Sequence, residues 1–220
     1  MPRVLVVSVG GVREVEWRGK LVRTGIWKTP VGDRPVRVET INLAGDDQGD
    51  RTVHGGADKA VYAYAAEDYR AWEGELGSTP EPGTFGENLT TIGIDLGRAL
   101  IGERWRVGTA VLEVTQPRFP CYKLGIRMGD AEFPARFARS LRLGAYLRVL
   151  HAGDVRAGDE IAVLSRPGHD WSIGEVARIG VFERERLCEL LELETLGSHM
   201  MEAVRRRCAG RGGAGRVASG

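Results

Sequence analysis

The sequence predicts a mostly β, α+β protein: short strands with a few peripheral helices to about residue 166, then a small helical unit over 170–208. Three observations carry this. Runs such as Val4-Leu5-Val6-Val7-Ser8-Val9 and Ala110-Val111-Leu112-Glu113-Val114-Thr115 are short, rich in β-branched residues and bounded by glycine or proline. The 31 glycines among 220 residues, about twice the usual share, imply many turns or close backbone approaches. After the linker Arg166-Pro167-Gly168-His169 the composition turns helical.

Composition bounds the function classes. A chain of this length buries a proper core, as one domain or as one domain with an appendage. Thirty-one basic against 30 acidic residues leave a net charge of +1, which gives no global electrostatic case for a nucleic-acid or membrane partner. Cys121, Cys188 and Cys208 are odd in number and widely spaced, so the sequence predicts neither a disulfide framework nor a CxxC zinc site, in keeping with a reducing compartment. The apolar run Val4–Val9 is too short for a secretory leader, and no window approaches the roughly 18 apolar residues of a membrane span. The expectation is a cytoplasmic protein.

In chain order, Val4–Val9 reads as a first strand, broken by Gly10-Gly11. Residues 17–28 alternate too irregularly for an amphipathic helix and concentrate Arg18, Lys20, Arg23 and Lys28; they read as a solvated basic loop or an anion-binding edge. Pro35–Glu39 alternates apolar and charged residues as a half-buried strand does. His54-Gly55-Gly56 is either a glycine hairpin turn with an incidental histidine or a place where a ligand approaches the backbone. Lys59–Tyr64 reads as a strand, and Glu67–Leu76 as a short helix ended by Gly77, with Tyr69, Trp72 and Leu76 on its core face.

Phe85-Gly86-Glu87-Asn88-Leu89 follows, where Asn88 either bridges a tight turn or presents its amide to a heterocycle. Residues 101–108 and 110–115 form a strand–turn–strand pair that ends at Gln116-Pro117-Arg118-Phe119-Pro120, because two prolines do not fit a central ladder. Cys121 thus lies just beyond a strand end on a stiff loop. With Arg118 and Lys123 beside it, its thiolate is favoured; the alternative is a small buried apolar residue. Ala131–Leu143 reads as a helix with Pro134 in its first turn, and Ala145–His151 and Glu160–Leu164 as strands. Ser172-Ile173-Gly174-Glu175 is a capping box, and helices over 183–194 and 198–208 complete the chain. Cys188 is expected to pack with Leu187, Leu190, Leu191 and Leu193. The Gly/Arg/Ala tail, 209–220, is expected to be disordered.

Three of these motifs together, His54-Gly55-Gly56…Asp58-Lys59-Ala60-Val61, Phe85-Gly86-Glu87-Asn88-Leu89 and Gln116-Pro117-Arg118…Pro120-Cys121…Lys123-Leu124, resemble the MOSC domain, found also at the C-terminus of molybdenum cofactor sulfurases. Thr24-Gly25-Ile26-Trp27-Lys28-Thr29-Pro30-Val31 extends the likeness, and the part from Trp171 is similar to the three-helix domain of the hydroxylaminopurine-resistance subfamily. The resemblance covers most of residues 1–208. It implies a MOSC-type β-barrel over 1–166 that binds molybdenum cofactor, with Cys121 as thiolate ligand to the metal. The cofactor's phosphate and pterin would be met by Arg23, Thr24, Lys28, His54, Gly55, Gly56, Lys59, Asn88 and Arg118. The implied reaction is reduction of small N-hydroxylated compounds, such as hydroxylaminopurine or amidoximes, with Asp95 or Glu87 as proton donor. The chain has no iron–sulfur cysteine set and no GxGxxG fingerprint, so electrons would come from a separate flavin or iron–sulfur protein. The alternatives are a cofactor or sulfur carrier without turnover, a hydrolase using Cys121 and His54, and a plain binding module; oligomeric state stays open.

Overall fold

The computed structural model describes residues 1–47 and 56–209. The strands are β1 (Arg3–Val9), β2 (Arg13–Trp17), β3 (Lys20–Thr24), β4 (Thr29–Pro30), β5 (Val36–Val38) and β6 (Val61–Ala65), followed by β7 (Leu89–Ile92), β8 (Arg104–Val107), β9 (Ala110–Pro117), β10 (Ala145–His151), β11 (Gly153–Val155) and β12 (Ile161–Ser165). The helices are α1 (Ala66–Tyr69), α2 (Glu73–Leu76), α3 (Tyr122–Met128), α4 (Phe133–Arg139), α5 (Ile173–Val181) and α6 (Ser198–Ala209), with 3₁₀ segments at 57–59, 70–72, 96–98 and 184–192.

Eight strands make one sheet in the order β12-β8-β9-β10-β6-β7-β1-β4, antiparallel except for the parallel pair β6–β7. The mixed α/β architecture agrees with the expected class, but the sheet is not a closed barrel. Its ends approach where Val4 bonds with Gly158 and Asp159, and Pro2 with Ile161, at 2.8–2.9 Å. A single antiparallel bridge, Arg3↔Glu160, forms there and no ladder follows.

Strand β6 shows how the pleat divides the core. Val61, Ala63 and Ala65 point into the main cluster with Leu112, Val114 and Leu147, while Tyr62 and Tyr64 point the other way into an aromatic cluster with Tyr69, Trp72, Phe85, Phe133 and Phe137. All five β6 residues are buried, so the strand is covered on both faces. The indole Nε1 of Trp72 donates to the Tyr64 hydroxyl at 2.9 Å, which lets a buried tyrosine keep a partner. The core face predicted for 67–76, Tyr69, Trp72 and Leu76, is therefore present, although residues 66–76 break into α1, a 3₁₀ turn and α2. In α4, Pro134 sits in the first turn as expected, and Leu141, at φ 57°, ends the predicted helix early.

Three expectations need correction. Residues 17–24 are not a loop, although 25–28 are: β2 and β3 pair from Arg13↔Thr24 to Trp17↔Lys20, turning at Arg18 and Gly19, both with positive φ. The left-handed arginine carries no turn signal in sequence, which is why the hairpin is not legible. The predicted helix over 183–194 is wound as a 3₁₀ segment. Cys188 and Cys208 form a disulfide across 20 residues, their Cα atoms 5.8 Å apart, because α6 folds back along that segment. The inference of a reducing compartment from cysteine spacing loses its support, since disulfides are uncommon there. Among the described residues, no helix is long and apolar enough to cross a membrane.

The helical part is not a separate layer. Ile173, Val176, Ile179, Leu190, Met201 and Val204 join the same cluster as the sheet's Val4, Trp105 and Leu112. Ser172 caps α5 as predicted, its Oγ accepting from the Glu175 N–H at 3.2 Å. Beyond Ala209, the predicted tail lies outside the described residues.

Candidate functional site

Strand β9 is the most buried long strand, and it delivers the chain to the site. After Pro117 the ladder stops; Arg118, Phe119 and Pro120 carry the backbone out to Cys121, which stands extended immediately before α3. Cys121 is half-buried and outside any disulfide. It opens onto a cavity of about 320 Å³ whose walls come from five places in the fold. The 3₁₀ turn at 57–59 gives Lys59, β9 gives Gln116, the loop gives Phe119, β10 gives Tyr146, and α6 gives His199, Met200 and Ala203. Gln116 and Tyr146 are direct cross-strand partners, so the sheet register itself sets two neighbouring side chains beside the cysteine.

The charge around this cavity is basic and poorly hydrated. Burial lowers the Lys59 ammonium below the ordinary lysine range, although Asp58 and Cys121 pull it back up. Arg118 is buried and lies over the Tyr62 ring at 5.7 Å. Burial works against its charge, but Tyr146, Tyr62 and Cys121 outweigh that and hold its proton more firmly than usual. Burial raises the Tyr146 phenol, which keeps it a neutral donor. Two buried polar atoms lack a hydrogen-bond partner here: Nη1 of Arg118 and Oε1 of Gln116. Such orphans are costly unless something else meets them.

Of the residues expected at the site, Cys121 and Lys59 line the cavity, and Arg118 lies beside its Tyr146 wall. Gly56, at φ 80°, has the left-handed backbone that a glycine permits and leads into the turn bearing Lys59. His54 and Gly55 lie outside the described residues.

The others are engaged elsewhere. Asn88 is a structural bridge: its Oδ1 accepts from the Tyr62 N–H at 3.1 Å, and its Nδ2 donates to Asp46 at 3.0 Å and Ser8 O at 3.4 Å. Both of its N–H donors and one lone pair of its Oδ1 are thus engaged within the fold. Lys28 is buried against Asp46, which also accepts from the Gly10 N–H at 3.0 Å. Burial lowers the lysine pKa. Glu87 is fully buried and accepts from the Tyr69 hydroxyl, the N–H groups of Gly83 (2.5 Å) and Phe85 (3.2 Å), and Thr90 Oγ1 (3.2 Å). Burial raises its pKa, and it does not line the cavity. Asp95 lines a different cleft with Glu67, Asp68 and Arg142 and caps the 96–98 turn through the Gly97 N–H at 2.9 Å. Arg23 is exposed on the hairpin, and the Thr24 hydroxyl accepts from the Ile26 N–H at 3.2 Å.

Sequence reasoning missed Gln116, Tyr146, His199 and Met200 as cavity residues. Gln116 stood within a quoted motif, and strand pairing then implicates Tyr146. His199 and Met200 gave no signal, since their position depends on how α6 docks.

Residues 50–162 match the MOSC domain family. The chain is 37% identical over 184 residues to "Uncharacterized protein YflK" of Bacillus subtilis (strain 168), covering 84% of this chain and 83% of that one. It is a MOSC-domain protein. It is also 34% identical to a protein of Gibberella moniliformis named "Reductase" over 80% of this chain, but spans only 32% of that longer protein. Among solved structures, YiiM from Geobacillus stearothermophilus superposes with a TM-score of 0.78 at 28% identity, covering 94% of this chain and 99% of that one. The helices after the MOSC sheet are thus shared with that structure.

Proposed function

We propose that this MOSC protein binds molybdenum cofactor through Cys121 and reduces N-hydroxylated compounds with electrons from a separate flavin or iron–sulfur protein. The observation that carries the reading is one cavity holding the Cys121 thiol and Lys59, with the partnerless Arg118 Nη1 and Gln116 Oε1 buried around it. A buried guanidinium that is hydrogen-bonded to Tyr146 and lies over Tyr62 gives the cavity's Tyr146 wall a fixed positive charge, which suits an anionic ligand. Among the described residues no cluster of three or more His, Cys, Asp or Glu could hold a bare metal ion. A single thiolate fits a metal that arrives already held by dithiolene sulfur. A relative named "Reductase", of which this chain spans 32%, favours redox chemistry.

When bound, the cofactor supplies two-electron exchange and an oxygen acceptor. The chain's part is to hold and to protonate. Cys121 anchors the metal, Arg118 offsets negative charge, and Tyr146 donates a hydrogen bond. Lys59 Nζ, a stronger acid than an ordinary lysine, is placed to supply protons. The balance is R–NH–OH plus two electrons and two protons giving R–NH₂ and water: the N–O bond breaks and oxygen leaves as water.

The test is molybdenum analysis with pterin fluorescence of gently purified wild type and Cys121→Ala. Near-stoichiometric cofactor in the wild type, with molybdenum lost in the variant, is expected. Reduction of benzamidoxime by reduced viologen then separates enzyme from carrier. Wild type that is empty and cannot be loaded defeats the proposal.

A further inference from the structure

Next to the Cys121 cavity lies a larger groove of about 560 Å³, and Phe119, Met200 and Ala203 line both. Its walls are α4, α5, the 184–192 segment and α6, and apart from Arg184 and Arg207 every lining side chain is apolar. Its size is that of a small-molecule pocket. The Phe119 side of this shared lining is set by α5: a Cβ on Gly180 would lie 2.5 Å from Cζ of Phe119, so the ring packs onto bare helix backbone.

We propose that this groove receives the body of the substrate whose N–OH group enters the Cys121 cavity. The substrate class it selects is an aromatic N-hydroxylated compound with an apolar body of two rings or more and an anionic far end. This rests on the reductive reading of the Cys121 site. A nucleobase would bring ring nitrogens and exocyclic groups against walls whose hydrogen-bonding side chains are Arg184 and Arg207 alone, leaving its other polar edges unmet, whereas a hydrocarbon ring loses nothing there. The two charged side chains in the lining are both exposed arginines, so a carboxylate is favoured over a cation. Arg184 is steadied by its Nε donating to Gly180 O at 3.3 Å.

The experiment uses the full chain and two probes, benzamidoxime and 6-carboxy-2-naphthamidoxime, with calorimetric binding to wild type, Ala135→Trp and Arg207→Glu. Ala135 is an exposed α4 residue on the groove, so tryptophan there fills the groove without entering the core. Wild type is expected to bind the naphthyl probe at least tenfold tighter than benzamidoxime. Ala135→Trp should abolish the difference, and Arg207→Glu should weaken the naphthyl probe alone. Equal affinities in the wild type, or an unchanged preference in Ala135→Trp, overturn the proposal. So does a groove variant that changes only the donor protein's KM or the sedimentation mass, since a partner protein or a second copy would then be the occupant. Turnover of cofactor-loaded protein keeps the two readings apart. Tight naphthyl binding with neither probe reduced sinks the reductive reading and leaves the groove a binding site. Reduction of both probes with one KM sinks the groove and leaves the reductase.

Discussion

The carboxylate of Asp58 accepts a hydrogen bond at 2.7 Å from the backbone N–H of Ser198, 140 residues further along the chain. Through Oδ1 it also pairs with Arg148 at 2.8 Å. Asp58 belongs to the turn that carries Lys59, and Ser198 starts the helix that carries His199 and Met200. One side chain therefore ties together two walls of the Cys121 cavity.

Asp58→Ala should lower stability by about 1–2 kcal/mol, the usual cost of losing an acceptor at a helix start. Burial alone would raise the Asp58 pKa, but the hydrogen bonds from Ser198 and the charge of Arg148 prevail and depress it. A depressed carboxyl adds stability that is fully present above its ordinary value of 3.8 and is lost as pH falls through the folded value. Thermal midpoints of wild type and variant should differ at pH 7 and converge in acid. A constant gap across that range would rule out the ionised carboxylate as the cause.

Glu87 looked, from sequence, like a proton donor, and the structure makes it the organiser of the 83–90 turn. Glu87→Gln replaces an acceptor oxygen by a donor facing N–H groups, at about 1–3 kcal/mol. The expected result is a lower unfolding midpoint with normal cofactor content and an unchanged pH–rate profile in the folded fraction. A full midpoint with one limb of the profile missing would restore the catalytic role.

How far the sequence could be read follows from the range of each interaction. Strand β9, the prolines after it and the capping box at Ser172 rest on local rules, and all were legible. That Cys121 follows a strand end on a proline-bounded loop is likewise local and legible, whereas the side chains around it come from distant parts of the chain and are not. The bridging bonds of Asn88 and Lys28 are not legible, because their partners, Ser8, Tyr62 and Asp46, are distant in sequence, and a polar residue bridging strands looks the same in sequence as one facing a ligand. The closed barrel is not legible for a related reason: whether the curled sheet closes depends on how residues 2–4 meet 158–161, which are distant in sequence and join through one isolated bridge.

The Cys188–Cys208 bond closes a loop of 20 residues between the 184–192 segment and α6. Chain-entropy reasoning gives about 3 kcal/mol for such a loop, or a midpoint shift of roughly 6–12 °C in a chain of this size. Reductant should lower the wild-type midpoint by that amount and leave Cys188→Ser/Cys208→Ser unaffected. Three reactive thiols in unfolded, never-reduced protein would show that the bond does not form.

Gly180 lies inside α5, where alanine normally stabilises by about 1 kcal/mol. Here the added Cβ would stand 2.5 Å from Cζ and 2.8 Å from Cε1 of Phe119, so the ring must move toward one of the two spaces it lines. Gly180→Ala should therefore destabilise in the wild-type background and stabilise in Phe119→Ala, a coupling of more than about 1 kcal/mol. The same cycle, read by the rate at which iodoacetamide labels Cys121, reports the ring's displacement directly. Phe119 lines the cavity of Cys121, so Gly180→Ala should change that rate only while the ring is present. Additive stabilities and an unchanged labelling rate would mean that Phe119 is not held by α5, and the lining shared by cavity and groove would not be set by that contact.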